Sequence, residues 1–430
     1  MSGTYVCEPS TLIDWVQDAR RACLLLFDDL DGDQLIGPGL ATVNPPLWEV
    51  GHIAWFYEKW IVRGHAGKDA AHDDADNLWD SMAVHHTTRT TLPLPDRDGT
   101  LAYMRQVYDG VLDRIDKACD AELAYLVRYC VHHEDMHAEA FTYTRQTLDY
   151  PVRSIGTGEC QPPNGGGPLP GGVDILGGDF ELGATADEPF VFDNEKWAHE
   201  TTVRPFSIAR APVTQAEYAE FVDDGGYTRQ DLWDTDGAAW RDEAGAEHPV
   251  YWRRDSDGSW LRRHITDWRA LEPHLPVIHV NWHEAQAFCR WAKRRLPTEA
   301  EWEMAAAGAN TKRRYPWGDD IPDLGMPANM DWREMGCVEV GAYPGGDSEY
   351  GCRQMLGNVW EWTSSVFDPY PGFVLDMYKE YSEPWFHTRK VLRGGTWASR
   401  SRMLRNTWRN YFTPDRRDVF GGFRTCALDS

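Results

Sequence analysis

No stretch of this 430-residue chain comes near the roughly 18 consecutive apolar residues that a membrane-spanning helix needs, which argues against a membrane partner. Positive charge is scarce as well. Lys and Arg number 43 against 68 Asp and Glu, a formal net charge of −25, whereas a nucleic-acid binder presents a basic face. The acidic residues are scattered, which suits a solvated surface better than an interaction tail. The nine cysteines (7, 23, 119, 130, 160, 289, 337, 352 and 426) contain no C-x-x-C pair and no regular spacing, so neither a disulfide framework nor a cysteine metal knuckle is spelled. Near the N-terminus only Leu24-Leu25-Leu26-Phe27 forms an apolar run, too short for a signal peptide, and the expectation is a cytoplasmic protein with reduced thiols. No internal repeat is present. What the chain does have is aromatic residues: 21 Trp, 18 Tyr and 15 Phe fill a sizeable core, and the length suggests two or three domains.

The most telling local feature is His133-Glu134-Asp135-Met136-His137. No Pro or Gly interrupts residues 121–150, so a helix is expected, and at about 3.6 residues per turn His133 and His137 share a face and can grip one metal ion. The same five residues read as H-E-x-x-H, the zinc metalloprotease pattern in which the Glu is the general base. A zincin also needs a downstream ligand and an edge strand, and Glu134 lies off the ligand face, as a surface carboxylate or one behind the ligands. A lone helical His more often packs in a core or faces water. His132 sits about 100° around the helix from His133, and His85 and His86 fall in a loop before Pro93, where they could approach a site or be solvated.

The first ~150 residues are helical in pattern: 12–30, 47–62, 100–117 and 121–150 fit a four-helix bundle with the His residues facing inward. Residues 160–172, rich in Pro and Gly, mark a linker. Domains are expected over 1–158 and 170–430. The second reads as irregular α+β, with helices over 214–223 (Thr214 and Glu217 as a capping box), 283–294 and 298–307, the last two broken at Pro297.

Six motifs in the second part, Arg210-Ala-Pro-Val-Thr-Gln-Ala-Glu-Tyr218, Arg295-Leu-Pro-Thr-Glu-Ala-Glu-Trp302, Tyr315-Pro-Trp-Gly318, Met355-Leu-Gly-Asn-Val-Trp-Glu-Trp362, Leu392-Arg-Gly-Gly395 and Gly421-Gly-Phe-Arg424, resemble the formylglycine-generating-enzyme domain, which implies a C-type-lectin-like fold. Most of their Trp and Gly are expected to be structural. That domain's own chemistry needs a cysteine pair after Arg-Gly-Gly, and residues 396–409 hold none. A DinB-like helical bundle ahead of such a domain resembles the ergothioneine-pathway sulfoxide synthases and selenoneine synthases. The fold class this implies is α+β in two domains, a DinB-like four-helix bundle carrying the ligands and a lectin-like domain closing the site.

The resemblance implies a non-haem Fe(II) centre held by His52, in Pro46-Leu-Trp-Glu-Val-Gly-His52, together with His133 and His137. Spacing alone does not name the metal, since imidazole suits Fe, Zn, Cu and Ni. Three imidazoles leave positions open for chemistry, which weighs against a role in binding only. The family joins imidazole C2 of hercynine, a trimethylated betaine of histidine, to a sulfur or selenium donor using O2. By the same resemblance Tyr378 is the proton donor, Tyr381 frames the cavity, and Asn410 with Tyr411 and Phe412 meets hercynine, whose trimethylammonium group suits aromatic faces. Sulfoxide synthases that take γ-glutamylcysteine carry two arginines in the loop before the third helix and an acidic residue after the Asn-aromatic pair. Here the loop has Arg89 alone, Phe412 holds the acidic position, and Met136 replaces a Gln. Fewer charged anchors fit a donor with fewer carboxylates, so a selenosugar is favoured over cysteine or γ-glutamylcysteine.

Overall fold

The computed structural model describes residues 8–153, 155, 166–308, 311–322, 325 and 327–428, and the chain divides into two compact units, Met1–Ile155 and Gly156–Ser430. Of the Pro/Gly-rich segment 160–172, residues 160–165 lie outside the described residues, as do Cys7 and Cys160.

The first unit is helical. Helix α1 (Pro9–Leu25) buries Leu12, Val16, Ala19, Ala22 and Cys23 at helical spacing and packs on α5 (Ala121–Leu148). Helix α2 (Pro46–Tyr57) starts on a proline and buries all twelve of its residues, as a central helix must. It continues from Glu58 to His65 as a wider π-helix, so the segment expected as one helix over 47–62 changes geometry after Tyr57. A five-residue helix, α3 (Ala75–Trp79), follows; it is too short to show a period in sequence. Helix α4 (Arg97–Lys117), capped by Asp96, packs on α2 and completes the bundle of α1, α2, α4 and α5. Asp120 caps α5, and Asp149 closes it in the left-handed conformation. Helix α1 ends at Leu25, short of the expected residue 30, because the chain turns through Phe27.

The second unit is built on short strands. One sheet runs β1 (Gly172–Ile175), β4 (Phe206–Ala209), β13 (Cys426–Ala427), β8 (Arg294–Arg295), and β2 (Gly178–Leu182) pairs with β3 (His199–Val203). A three-stranded sheet comprises β5 (Trp252–Arg254), β6 (Trp260–His264) and β7 (Asp267–Ala270). The last sheet runs β11 (Arg409–Phe412), β10 (Lys390–Arg393), β9 (Trp360–Val366), β12 (Gly421–Gly422). Thr214 and Glu217 form the expected capping box on α6 (Gln215–Asp223). Helix α7 (Thr235–Ala244) was not foreseen; Asp234 caps it and Gly245 ends it. Helix α8 (Trp282–Trp291) stops before the predicted residue 294, because Lys293 takes a positive φ and Arg294 enters a strand. Thr298 caps α9 (Glu299–Ala307) as expected.

The recurrent motifs interlock through buried charge. Glu361 accepts from Trp302 Nε1 (2.8 Å) and from both arms of Arg424 (2.6 and 2.7 Å), joining three motifs. Glu299 takes Arg393 (2.8 Å) and Arg409 (2.7 Å). A side chain on Gly394, at φ +99°, would meet Met355 O at 2.7 Å, so this close crossing of two motifs requires glycine.

His279 lies in the same core against Tyr251 (4.7 Å) and Phe420 (5.4 Å), and its Nδ1 donates to Asp418 O (3.1 Å). Burial pulls its pKa down to about 3. The folded pKa is below the unfolded one, so the stability tied to this neutral imidazole is complete above about pH 6.5 and is lost as pH falls toward about 3. In calorimetry between about pH 6.5 and 4, His279→Gln should therefore lose melting temperature less steeply than the wild type. Equal slopes would show that His279 does not carry this dependence.

Candidate metal centre

His52 comes from the middle of α2, and His133 and His137 from successive turns of α5. The ring centroids stand 5.1 Å (His52–His133), 5.0 Å (His52–His137) and 4.5 Å (His133–His137) apart, with each pair of rings inclined by 62 to 68°. One ligand atom from each lies within 4.8 Å of the others. This is the one group of three or more metal-type side chains among the described residues.

The protons are arranged for coordination. His52 Nδ1 donates to Trp79 O (2.8 Å), and His137 Nδ1 donates to Glu49 Oε1 (2.7 Å). An imidazole that holds its proton on Nδ1 presents a lone pair at Nε2, and such partners also fix the ring's rotation. Nε2 of His137 and Nε2 of His133 face each other at 3.2 Å. Two nitrogens bound about 2.0–2.1 Å from one ion at tetrahedral or octahedral angles stand roughly 2.8–3.4 Å apart, so the donor set fits a metal. Burial, reinforced by the neighbouring imidazoles, draws the pKa values of His52 and His133 well below the ordinary range, which keeps both neutral and ready to bind.

Aromatic rings wall the triad. Trp48 stacks on His52 (4.8 Å, 9°) and Phe56 on His133 (3.7 Å, 9°). The loop around α3, which the sequence reading missed, anchors this wall. Trp48 Nε1 donates to Leu78 O (2.7 Å), Trp55 Nε1 to Asp76 (2.6 Å), and Trp79 supplies the carbonyl to His52. The Trp79 ring crosses α2 at Gly51, where a Cβ would come within 2.0 Å of its indole nitrogen. Gly51 is thus the passage that lets Trp79 reach His52.

Glu134 is fully buried, which rules out the surface position considered for it. Its Oε2 accepts from Tyr57 OH (2.9 Å), and its charge is felt by Tyr108, Cys23 and Cys130. A zincin base must face the metal-bound water, and Glu134 is engaged with Tyr57 instead. His132 is also buried, beside Trp15 (6.0 Å). His85 is exposed and caps the short 3₁₀ turn His86–Thr91. Arg89 is buried: it donates to Asn44 Oδ1 (2.7 Å), Val84 O (3.2 Å) and Ser81 O (3.3 Å), and it lies 3.8 Å over Trp48, the ring that covers His52. Met136 is half-buried beside His137.

The other expected site residues cluster within the second unit. Tyr381 and Tyr411 stand 6.3 Å apart, ring to ring; Tyr381 stacks on Phe192 (4.4 Å) and Tyr411 on Phe367 (3.8 Å). Burial raises the pKa of both hydroxyls, so both remain protonated. Tyr378 is half-buried at the start of the turn Lys379–Tyr381. Asn410 Oδ1 accepts from Tyr411 N (2.8 Å), which leaves its NH₂ as the group to offer. Phe412 lies under Arg416 (5.0 Å), itself paired with Asp418.

Comparison with known proteins covers both units. Residues 16–145 match the DinB superfamily, and residues 159–428 match the sulfatase-modifying factor enzyme 1-like domain. The hercynine oxygenase of Mycolicibacterium thermoresistibile is 37% identical over 99% of this chain and 96% of its own length. That of Mycobacterium tuberculosis is 37% identical over 94% of this chain and 96% of its own. The formylglycine-generating enzyme of Streptomyces coelicolor is 33% identical over 60% of this chain and 90% of its own.

Removing the Glu49 charge should loosen His137. In metal titrations Glu49→Gln is expected to weaken affinity by about 10- to 100-fold, as loss of a partner behind a ligand typically does, while Glu134→Gln should change it by less than about threefold. A large loss from Glu134→Gln with none from Glu49→Gln would reverse the two assignments.

Proposed function

The chain belongs to the hercynine oxygenase family, and on that footing we propose that it is an oxidoreductase that holds Fe(II) on His52, His133 and His137 and joins imidazole C2 of hercynine to a chalcogen donor with O2. The observation that carries the reading is the convergence of the three imidazoles inside a chain alike to hercynine oxygenases along nearly its whole length. Iron supplies the one-electron reactivity toward O2 that side chains lack. The protein's part is to bind, orient and move protons. Trp48 and Phe56 keep the ligand rings rigid and the surroundings apolar. Tyr378 gives a proton to the reacting centre; Asn410 and the aromatic rings of Tyr411 and Phe412 hold hercynine, with Tyr381 framing the cavity.

For the donor we favour a selenosugar, which makes the enzyme a selenoneine synthase; the alternative is a sulfoxide synthase of ergothioneine biosynthesis that takes cysteine or γ-glutamylcysteine. What supports the first is the scarcity of charged anchors that could meet a donor carboxylate. The guanidinium of Arg89 bonds Asn44 and two backbone carbonyls and stacks on Trp48, and the position after Tyr411 is the uncharged Phe412. A donor carboxylate buried without a partner costs heavily, whereas sugar hydroxyls need only hydrogen bonds. Both readings break the C2–H bond of hercynine and the chalcogen–H bond of the donor and form a carbon–chalcogen bond; O2 takes up four electrons, one oxygen atom ending on the chalcogen and the other leaving as water with the two hydrogens.

The Fe(II)-loaded protein, given hercynine and O2 with selenosugar, cysteine and γ-glutamylcysteine in parallel, should release a selenium-bearing product fastest. Product from γ-glutamylcysteine alone would overturn the donor assignment, and failure to consume hercynine with any donor would overturn the substrate.

A further inference from the structure

We propose that the buried turn 193–196 is the positioning device of Tyr378, gripping the segment 376–382 on both sides of that tyrosine; this rests on the reading of Tyr378 as proton donor. Asp193, Asn194 and Glu195 are all wholly buried, an unusual depth for three successive polar residues. Asp193 and Asn194 bond the tyrosine segment, and Glu195 bonds the stretch that leads into β11. Ser382, four residues after Tyr378, donates its hydroxyl to Asp193 Oδ1 and accepts from Asn194 Nδ2 (3.0 Å). Asp376, two residues before Tyr378, donates its backbone N–H to Asp193 Oδ2 (3.5 Å), and Lys196 Nζ binds both oxygens of the Asp376 carboxylate (2.7 and 2.8 Å).

The same turn reaches the strand that carries Asn410 and Tyr411. Asn194 O accepts from Arg409 Nη1 (2.7 Å), and Glu195 binds Arg405 through both oxygens and Thr407 at 2.9 Å. Phe192, the residue before the turn, stacks on Tyr381. One four-residue element therefore fixes the spacing between the tyrosine segment and β11.

The segment needs such a grip. The residues leading into it, Val374 (73%) and Leu375 (40%), are exposed, so little apolar burial locates its leading end. A carboxylate is an expensive group to bury, and burial pushes Asp193 up to about 6 while Ser382 and Lys196 pull it back. An apolar residue would fill this space at less cost but could not hold Ser382 and the Asp376 N–H together.

The test is a double-mutant cycle on the full-length, iron-loaded protein with hercynine and the donor it accepts, following product formation and O2 uptake. Asp193→Asn should lower kcat about tenfold while KM for hercynine stays within about twofold, and in a Tyr378→Phe background it should cost less than about twofold more. Full additivity of the two losses would mean that Asp193 acts independently of Tyr378, and a wild-type rate for Asp193→Asn would mean that it positions nothing; either result overturns the proposal while Tyr378→Phe itself remains impaired. An unimpaired Tyr378→Phe would instead overturn the proton-donor reading, and the clamp with it. Should Asp193→Asn fail to fold, Lys196→Met releases Asp376 from the partly exposed side and must show the same dependence on Tyr378; additive losses there count against the clamp equally.

Discussion

Three imidazole lone pairs can converge only if each ring is held from behind and kept neutral, and much of the first unit answers to that constraint. Two of the rings give their Nδ1 protons to fixed acceptors, Trp79 O and Glu49. Glu49 stands on α2 one turn before His52, and Trp79 ends the short helix α3. Helix α3 exists to bring Trp79 and Asp76 against α2, and Gly51 exists to let the Trp79 ring through. Burial then does electrostatic work, since a desolvated imidazole favours its neutral, coordinating form. The apolar stacking of Phe56 and Trp48 supplies that burial without offering a competing ligand.

The second unit solves a different problem. Its strands are short and its loops long, so regular hydrogen-bond ladders cannot hold it alone. Buried arginine–carboxylate pairs take their place: Arg393 and Arg409 on Glu299, Arg405 on Glu195, Arg424 on Glu361. Such pairs are costly to desolvate and worse to break, which makes each a strict register mark between distant segments. Arg409 stands next to Asn410 and Tyr411, the residues proposed to meet hercynine, so the pair that anchors Arg409 also sets their height.

Much of this was legible in the sequence, and the parts that were not share a physical reason. Residues 133 and 137 announced themselves because helical spacing maps directly onto a face, and the motif-rich second unit announced itself through Gly and Trp in a fixed order. The long helices were readable because amphipathic periods accumulate over many residues; α3, with five, gave nothing to count. Glu134 reads as solvent-facing or behind the ligands in sequence, but α5 is buried on more than one side, so its polar residues do not mark an exposed stripe. The partners behind the ligands, Glu49 and Trp79, could not be read at all. Glu49 looks like an ordinary first-turn helix carboxylate, and a backbone carbonyl has no sequence signature. Asp193 was invisible for the same reason: its meaning lies in contacts to residues more than 180 positions away.

The central claim is a three-imidazole iron site with open positions that hercynine enters. X-ray absorption at the iron edge of the anaerobic, Fe(II)-loaded protein, with and without hercynine, tests it most directly. The account predicts three protein imidazoles plus light solvent-type ligands, reduced to two imidazoles in His52→Ala, with hercynine adding an imidazole-type scatterer in place of solvent. A spectrum with thiolate ligands, or one that is unchanged by both His52→Ala and hercynine, would contradict it.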